Sequence, residues 1–113
     1  MAYLRGDVVL VPFPFTDLSA TRVRPAVVLS TPEFEEETGD VILTMVTSRE
    51  HAGSTDYALR DWRRAGLVQA SWVRIKLATL DRNLIQFSPG SLTGRDVGAV
   101  DSRLRRALQV GSV

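Results

Sequence analysis

The sequence predicts a mainly β domain that ends in one α-helix. Five short segments rich in valine, isoleucine, leucine and threonine are separated by glycine, proline and polar residues, which is the pattern of strands and their connections. Near the C-terminus, apolar residues instead recur at helical spacing. With 113 residues, 44% of them hydrophobic, the chain can form one domain with its own core, so we expect a single domain over residues 1–113.

The composition excludes several kinds of site. The chain has no cysteine and one histidine, which removes disulfides, thiolate chemistry and histidine-rich metal sites, so we expect no metal and no cofactor. The N-terminus has no apolar leader, and no apolar run approaches the ~20 residues that span a bilayer. We therefore expect a cytoplasmic protein with no membrane partner. The net charge is +1 with Lys76 as the single lysine, so any basic surface must consist mainly of arginine.

The first strand is expected over residues 8–13, where Pro12 suggests an edge position or the end of the strand. A polar connection of about ten residues follows, which is longer than the usual hairpin loop of about two to five. Such a loop could line a groove for a flexible ligand. Its candidate binding residues are Phe15, Thr16, Asp17 and Arg22. Phe15 could equally pack into the core.

Residues 26–30 are predicted to form a second strand that is buried on both faces, since Val27, Val28 and Leu29 are an unbroken apolar run. Pro25 lacks an N–H and fits only where the strand begins. Arg24 therefore lies at the mouth of a rigid element. A guanidinium held there presents a planar fork of donors that can clamp a phosphate. The alternative is an arginine that is solvated or paired with a surface carboxylate.

A short helical turn is expected from Pro32, with acidic residues 33–37 facing solvent. The third strand covers residues 40–47 and ends in a hydroxyl pair, Thr47 and Ser48. A polar loop with His51 leads to a brief fourth strand over residues 55–59.

A fifth strand is expected within residues 67–77, because apolar and polar residues alternate there. This alternation predicts that Trp72, Arg74 and Lys76 share the outer face. Such a row suits a nucleic-acid surface and also a subunit interface with a polar rim. After it we expect a turn at 79–83, a short strand or helical turn at 84–87, and a loop at 88–91.

The C-terminal helix is predicted to begin after Thr93, whose hydroxyl would cap it with Asp96 in the first turn. Asp61 is expected to cap a separate single turn that ends at Gly66. The core face of the helix consists of Val97, Val100, Leu104, Ala107 and Leu108. The opposite face carries arginines that we interpret as solvating, with those near the C-terminus complementing the helix dipole. They are Arg95, Arg103, Arg105 and Arg106.

Four motifs in this order resemble the MazF/PemK (Kid-like) toxin family. They are Arg5-Gly6-Asp7-Val8, Arg24-Pro25-Ala26-Val27-Val28-Leu29-Ser30, Val46-Thr47-Ser48, and Ser71 through Thr79-Leu80-Asp81. Their order and spacing cover nearly the whole chain. The resemblance implies an SH3-like small β-barrel of the CcdB/MazF type with a C-terminal α-helix, which works as a homodimer.

The resemblance further implies a toxin of a type II toxin-antitoxin system, held inactive by an antitoxin protein. Such toxins are metal-independent endoribonucleases (mRNA interferases) that cut single-stranded RNA by attack of the 2′-hydroxyl, leaving 2′,3′-cyclic phosphate and 5′-hydroxyl ends. The family's catalytic arginine and threonine fall on Arg24 and Thr47, and Ser48 is the next candidate. The residues expected to bind RNA are Phe15, Thr16, Arg22 and Lys76.

The general base stays open at this point. An arginine remains protonated near neutral pH, so Arg24 is assigned to charge stabilisation. Asp17 stands in the first loop, where some relatives carry a glutamate. His51 follows Thr47 by four residues and is of the residue type that exchanges protons near neutral pH, although a loop histidine can also be merely exposed.

Two other functions fit the same fold. One is a CcdB-like toxin that binds DNA gyrase and cuts no RNA, and the other is an SH3-like module that binds RNA without cleavage. Neither requires the pairing of Arg24 with Thr47, which therefore favours the nuclease.

Overall fold

A computed structural model describes residues 2–13 and 22–111. Within these ranges the chain forms six strands, two α-helices and one 3-10 helix. In chain order they are β1 (Asp7–Phe13), β2 (Arg22–Val28), α1 (Pro32–Thr38), β3 (Asp40–Thr47), β4 (Tyr57–Ala58), β5 (Trp72–Asp81), the 3-10 helix (Arg82–Leu84), β6 (Phe87–Ser91) and α2 (Gly94–Leu108). Neither α-helix of the described ranges is long and apolar enough to cross a membrane.

The six strands form one antiparallel sheet in the order β4-β5-β3-β2-β1-β6. Because side chains alternate between the faces of a strand, β2 contributes Val27 to one apolar cluster and Ala26 and Val28 to another. Val100 of α2 joins the cluster of Val27, so the helix covers that face of the sheet. The prediction of a mainly β fold with a C-terminal helix is confirmed.

Two predicted connections are instead parts of strands. The turn expected at 79–83 is wrong over residues 79–81, because β5 continues to Asp81, which pairs with Asp40 of β3, and the chain turns only in the 3-10 helix from Arg82. The loop expected at 88–91 is wrong because β6 pairs with β1, with Gly90 opposite Val8. Pro89 is compatible with β6 because an edge strand tolerates a missing N–H. Pairing with distant strands thus overrides the local turn signals.

The predicted alternation of β5 is broken by a bulge. Thr44 pairs with Leu77 but its neighbour Met45 pairs with Arg74, so two extra residues of β5 lie between these pairs. The buried Thr44 hydroxyl donates to the Arg74 carbonyl and accepts from the Lys76 N–H at 3.3 Å, which supports the bulge. Lys76 lies within this bulge and is exposed, and Leu77, expected to be buried, is 41% exposed.

The start of α2 is held differently from the prediction. Thr93 is the N-cap residue, but its hydroxyl makes no capping bond and donates to Oδ2 of Asp61 at 2.6 Å. Arg95, expected to be solvated, pairs with Oδ1 of the same carboxylate at 2.6 Å. Asp61 therefore fastens α2 to the 61–66 turn and does not cap a turn of its own. Its bonds to Arg95 and Thr93 hold the pKa of Asp61 well below its usual range.

Asp96 is fully buried beside this contact. Its carboxylate accepts from the Tyr57 hydroxyl at 2.6 Å and from the N–H groups of Arg60 and Asp61 at 3.2 and 2.9 Å. Burial, with the bond to Asp96, raises the pKa of Tyr57 to about 12. We call Tyr57, Asp61, Thr93, Arg95 and Asp96 the helix-start network.

Two further expectations about exposure are wrong. Glu35 of the acidic run is only 2% exposed because its carboxylate accepts the N–H of Tyr3 at 2.8 Å and lies 3.9 Å from Arg82. At the other end of the chain, Ala107 and Leu108 are exposed, since the last turn of α2 extends beyond the apolar cluster that its earlier turns contact.

Candidate active site

The register of β2 and β3 brings Arg24 and Thr47 together. Ala26 pairs with Met45, and the neighbouring pairs follow in antiparallel order. Arg24 lies two residues before Ala26 and Thr47 two residues after Met45, on the face that Ala26 and Met45 share. Trp72 of β5 pairs with Thr47 from the other side. The two residues assigned to catalysis from the sequence line the same recess.

A recess of about 430 Å³ opens beside this pair. We call it the basic recess. Its described lining residues are Arg22, Arg24, Met45, Val46, Thr47, Ser48, Arg49, His51 and Arg74. They include four arginines and no carboxylate, so the potential there is positive and favours an anionic ligand.

Thr47 retains a donor for such a ligand. Its hydroxyl accepts the backbone N–H of Arg49 at 3.1 Å. A hydroxyl has one donor and two acceptor lone pairs, so this contact positions the oxygen and leaves its O–H to donate to a phosphate oxygen. Thr47 and Arg24 are both half-buried, whereas Ser48 is exposed.

Arg74 is held in place by a carboxylate. Its Nε donates to Oδ1 of Asp56 at 3.1 Å, and the other oxygen of Asp56 accepts the N–H of Gly53 at 2.8 Å. The Asp56 side chain is 6% exposed and that of Arg74 40%. This ion pair ties the loop that carries His51 to β5, while the exposed part of the guanidinium stays available to the recess.

The structure brings some of the other predicted site residues to the basic recess and not others. Arg22 and the half-buried His51 line it, whereas Lys76 is exposed in the β5 bulge and does not. Phe15, Thr16 and Asp17 lie outside the described residues. Arg49 also lines the recess and was not among the predicted site residues, although it follows directly after Thr47 and Ser48.

An apolar groove of about 400 Å³ also includes Arg24 and Thr47 in its lining. Three exposed apolar side chains contribute to it, Val23, Val68 and Phe87. Arg24 and Thr47 are thus common to the linings of the basic recess and the apolar groove. Over residues 2–13 and 22–111, no group of three or more histidine, aspartate or glutamate side chains could hold a metal ion.

The chain is similar to a family and to solved structures that share this architecture. Residues 4–108 match the family described as PemK-like, MazF-like toxin of type II toxin-antitoxin system. An endoribonuclease from a mycobacterial species, solved in complex with its cognate antitoxin, matches with a TM-score of 0.78 and 21% identity, over 99% of this chain and 100% of that chain. MazF from Deinococcus radiodurans gives 0.78 and 21%, over 97% and 99%. The Mycobacterium tuberculosis toxin MazF-mt6 gives 0.74 and 15%, over 94% and 99%. Among curated proteins, no sequence matches the chain.

Proposed function

We propose that this chain, which belongs to the PemK-like, MazF-like toxin family of type II toxin-antitoxin systems, is an endoribonuclease that cleaves single-stranded RNA without a metal ion. The observation that carries the proposal is that Arg24 and Thr47 line the same recess, whose described lining includes four arginines. A site of this kind suits a phosphodiester, because charge grows on its oxygens in the transition state.

In the proposed reaction the ribose 2′-hydroxyl attacks the adjacent phosphorus and the bond to the 5′-oxygen breaks. The products are a 2′,3′-cyclic phosphate and a 5′-hydroxyl. Arg24 binds the non-bridging oxygens and stabilises their growing charge, and Thr47 donates a hydrogen bond that holds the phosphate in line. Holding the reacting groups in a near-attack geometry can supply about 7–11 kcal/mol in favourable intramolecular systems.

Two residues are candidates for removing the proton of the 2′-hydroxyl. His51 lines the basic recess and is of a residue type suited to proton transfer near neutral pH. Asp17, the other candidate from the sequence, lies outside the described residues. His51→Gln and Asp17→Asn separate them, because only the variant without the base should lose the rise of rate with pH on the acid side.

The proposed partners are single-stranded RNA, a second copy of the chain and an antitoxin. A disordered acidic segment with apolar side chains would fit the antitoxin, because the apolar groove adjoins the basic recess and both include Arg24. Inhibition would then compete with RNA. A second copy would extend the narrow surface of one domain into a longer groove, and light scattering at micromolar concentration that shows only monomer would contradict it.

The decisive experiment is incubation of the purified protein with a long RNA in the presence of EDTA. We expect cleavage, with 5′-hydroxyl ends that polynucleotide kinase labels without prior phosphatase treatment. Arg24→Ala should abolish cleavage, while Arg64→Ala removes an exposed arginine outside the recess and should not. Retention of RNA without cleavage would indicate the RNA-binding module, and neither activity would favour a gyrase-binding toxin.

A further inference from the structure

We infer that α2 and the loop before β4 form a second phosphate-binding recess, which holds the RNA strand beyond the point of cleavage. A recess of about 380 Å³ is lined by Ser54, Ser102, Arg103, Arg105 and Arg106. We call it the helix recess. Three guanidinium groups and two hydroxyls face it without a carboxylate in the lining, and these are donors that bind phosphate oxygens. This inference rests on the proposed function.

Within residues 2–13 and 22–111, no carboxylate forms an ion pair with an arginine of the helix recess. The ion pairs in these ranges instead involve Arg5, Arg74, Arg82 and Arg95. Solvation and the helix dipole explain why arginines occur near the end of α2. Neither effect explains why these arginines and Ser54, from the loop before β4, line the same recess.

Neutral contacts position two of these arginines. The guanidinium of Arg103 lies 4.7 Å from the centre of the Tyr57 ring. Arg106 donates to the carbonyl of Ser54 at 3.3 Å, which joins α2 to the loop. A cation held over a ring or against a carbonyl keeps its full charge. The helix recess is thus partly preorganised and still attracts an anion.

The helix recess and the basic recess are connected through one loop. His51 lines the basic recess and Ser54 lines the helix recess. Three residues of chain span at most about 11 Å, so a strand leaving the active site needs only a few nucleotides to reach α2. The pairing of Asp56 with Arg74 and Gly53 holds this loop against β5. A continuous phosphate path therefore favours longer RNA over a short fragment.

The test compares two double variants that each change the net charge from +1 to −1 by removing two arginines. Arg105→Gln with Arg106→Gln alters the helix recess, and Arg63→Gln with Arg64→Gln alters the exposed part of the 61–66 turn. The probes are uniformly 2′-O-methylated RNAs of about 4 and about 20 nucleotides, which lack the attacking hydroxyl. Affinities are measured over a range of salt, and cleavage of unmodified RNA is measured in parallel.

We expect the helix-recess double to bind the long probe about tenfold more weakly, with a salt slope smaller by about 1.4, as two lost phosphate contacts predict. The helix-recess double should bind the short probe as tightly as the wild type does. The Arg63→Gln, Arg64→Gln double should bind both probes with wild-type affinity. Arg105→Gln alone, whose side chain makes no hydrogen bond within the described residues, should give about half the change in slope without disturbing the loop.

Two results would overturn the helix recess and leave the proposed function standing, provided that the wild-type protein cleaves RNA. One is an equal loss of affinity in the two double variants. The other is an unchanged affinity of the helix-recess double for the long probe. Poly-glutamate serves as a further probe. If the helix-recess double lost binding to poly-glutamate but not to RNA, the recess would be a contact for an acidic protein, and this would also overturn the inference. A wild-type protein that cleaves no RNA would overturn the proposed function and this inference with it.

Discussion

The basic recess and the helix-start network both contain arginine and threonine, but among the described residues only the network also contains carboxylates. In the helix-start network Arg95 pairs with Asp61 at 2.6 Å, and the buried carboxylate of Asp96 accepts three hydrogen bonds. In the basic recess, by contrast, the described lining has four arginines and no carboxylate, and Asp56, which binds Arg74, is not part of it.

This difference separates stability from binding. A buried polar group lowers stability unless it is hydrogen-bonded, so a fully matched network holds elements together and offers nothing to a ligand. A cluster with an excess of positive charge behaves differently, because its arginines gain a favourable electrostatic interaction when an anion binds. Substitutions in the two clusters should therefore affect different measurements.

The largest effect is expected for Arg24→Lys. The point charge of lysine cannot replace the planar fork of donors. The activation free energy of cleavage should therefore rise by about 2–4 kcal/mol. The melting temperature should stay unchanged. Arg95→Lys is the matched control, because it should lower the melting temperature and leave cleavage intact. Full activity of Arg24→Lys would remove the charge-stabilising role from this residue.

Next is Asp96→Ala, which leaves the Tyr57 hydroxyl and two backbone N–H groups without their acceptor. We expect a loss of about 3 kcal/mol in the free energy of unfolding, measured by urea denaturation. Cleavage per folded molecule should not change. If stability were unaffected, the burial of this carboxylate would not be what fastens the start of α2.

Threonine to alanine at two positions tests the comparison directly. Thr47→Ala should slow cleavage by about tenfold, because one oriented donor is lost, with little change in stability. Thr93→Ala should instead lower the free energy of unfolding by about 1 kcal/mol, because Asp61 loses a hydrogen bond. The reverse assignment of the two effects would contradict the separation of stability from binding.

The smallest effect is a dependence of stability on pH. Arg95 and Thr93 depress the pKa of Asp61 in the folded protein from its usual 3.8, so their contribution is present above that value and is lost as the pH falls through the folded pKa. Arg95→Gln should therefore lower the melting temperature most above about pH 5. The gap to the wild type should narrow at more acidic pH, and a gap that widened there would contradict the ion pair.

Several features followed from local sequence alone. The apolar run after Pro25 marked a buried strand, and Thr47 was correctly placed at the end of β3. The start of that strand was wrong, because β2 begins at Arg22 and both Arg24 and Pro25 pair with β1 inside it. The short helix from Pro32 and the helix after Thr93 were also predicted. These signals are local because they depend on a missing N–H, on capping residues and on the period of apolar residues.

Tertiary structure alone decided how these parts meet. The recess that Arg24 and Thr47 share, the bulge in β5 at Lys76, and the burial of Asp96 each depend on partners far away in sequence. Arg49 joined the basic recess and Arg105 the helix recess for the same reason. The local pattern specifies the backbone conformation of a segment, but strand pairing and desolvation are set by contacts between segments, and these decide which charges are matched.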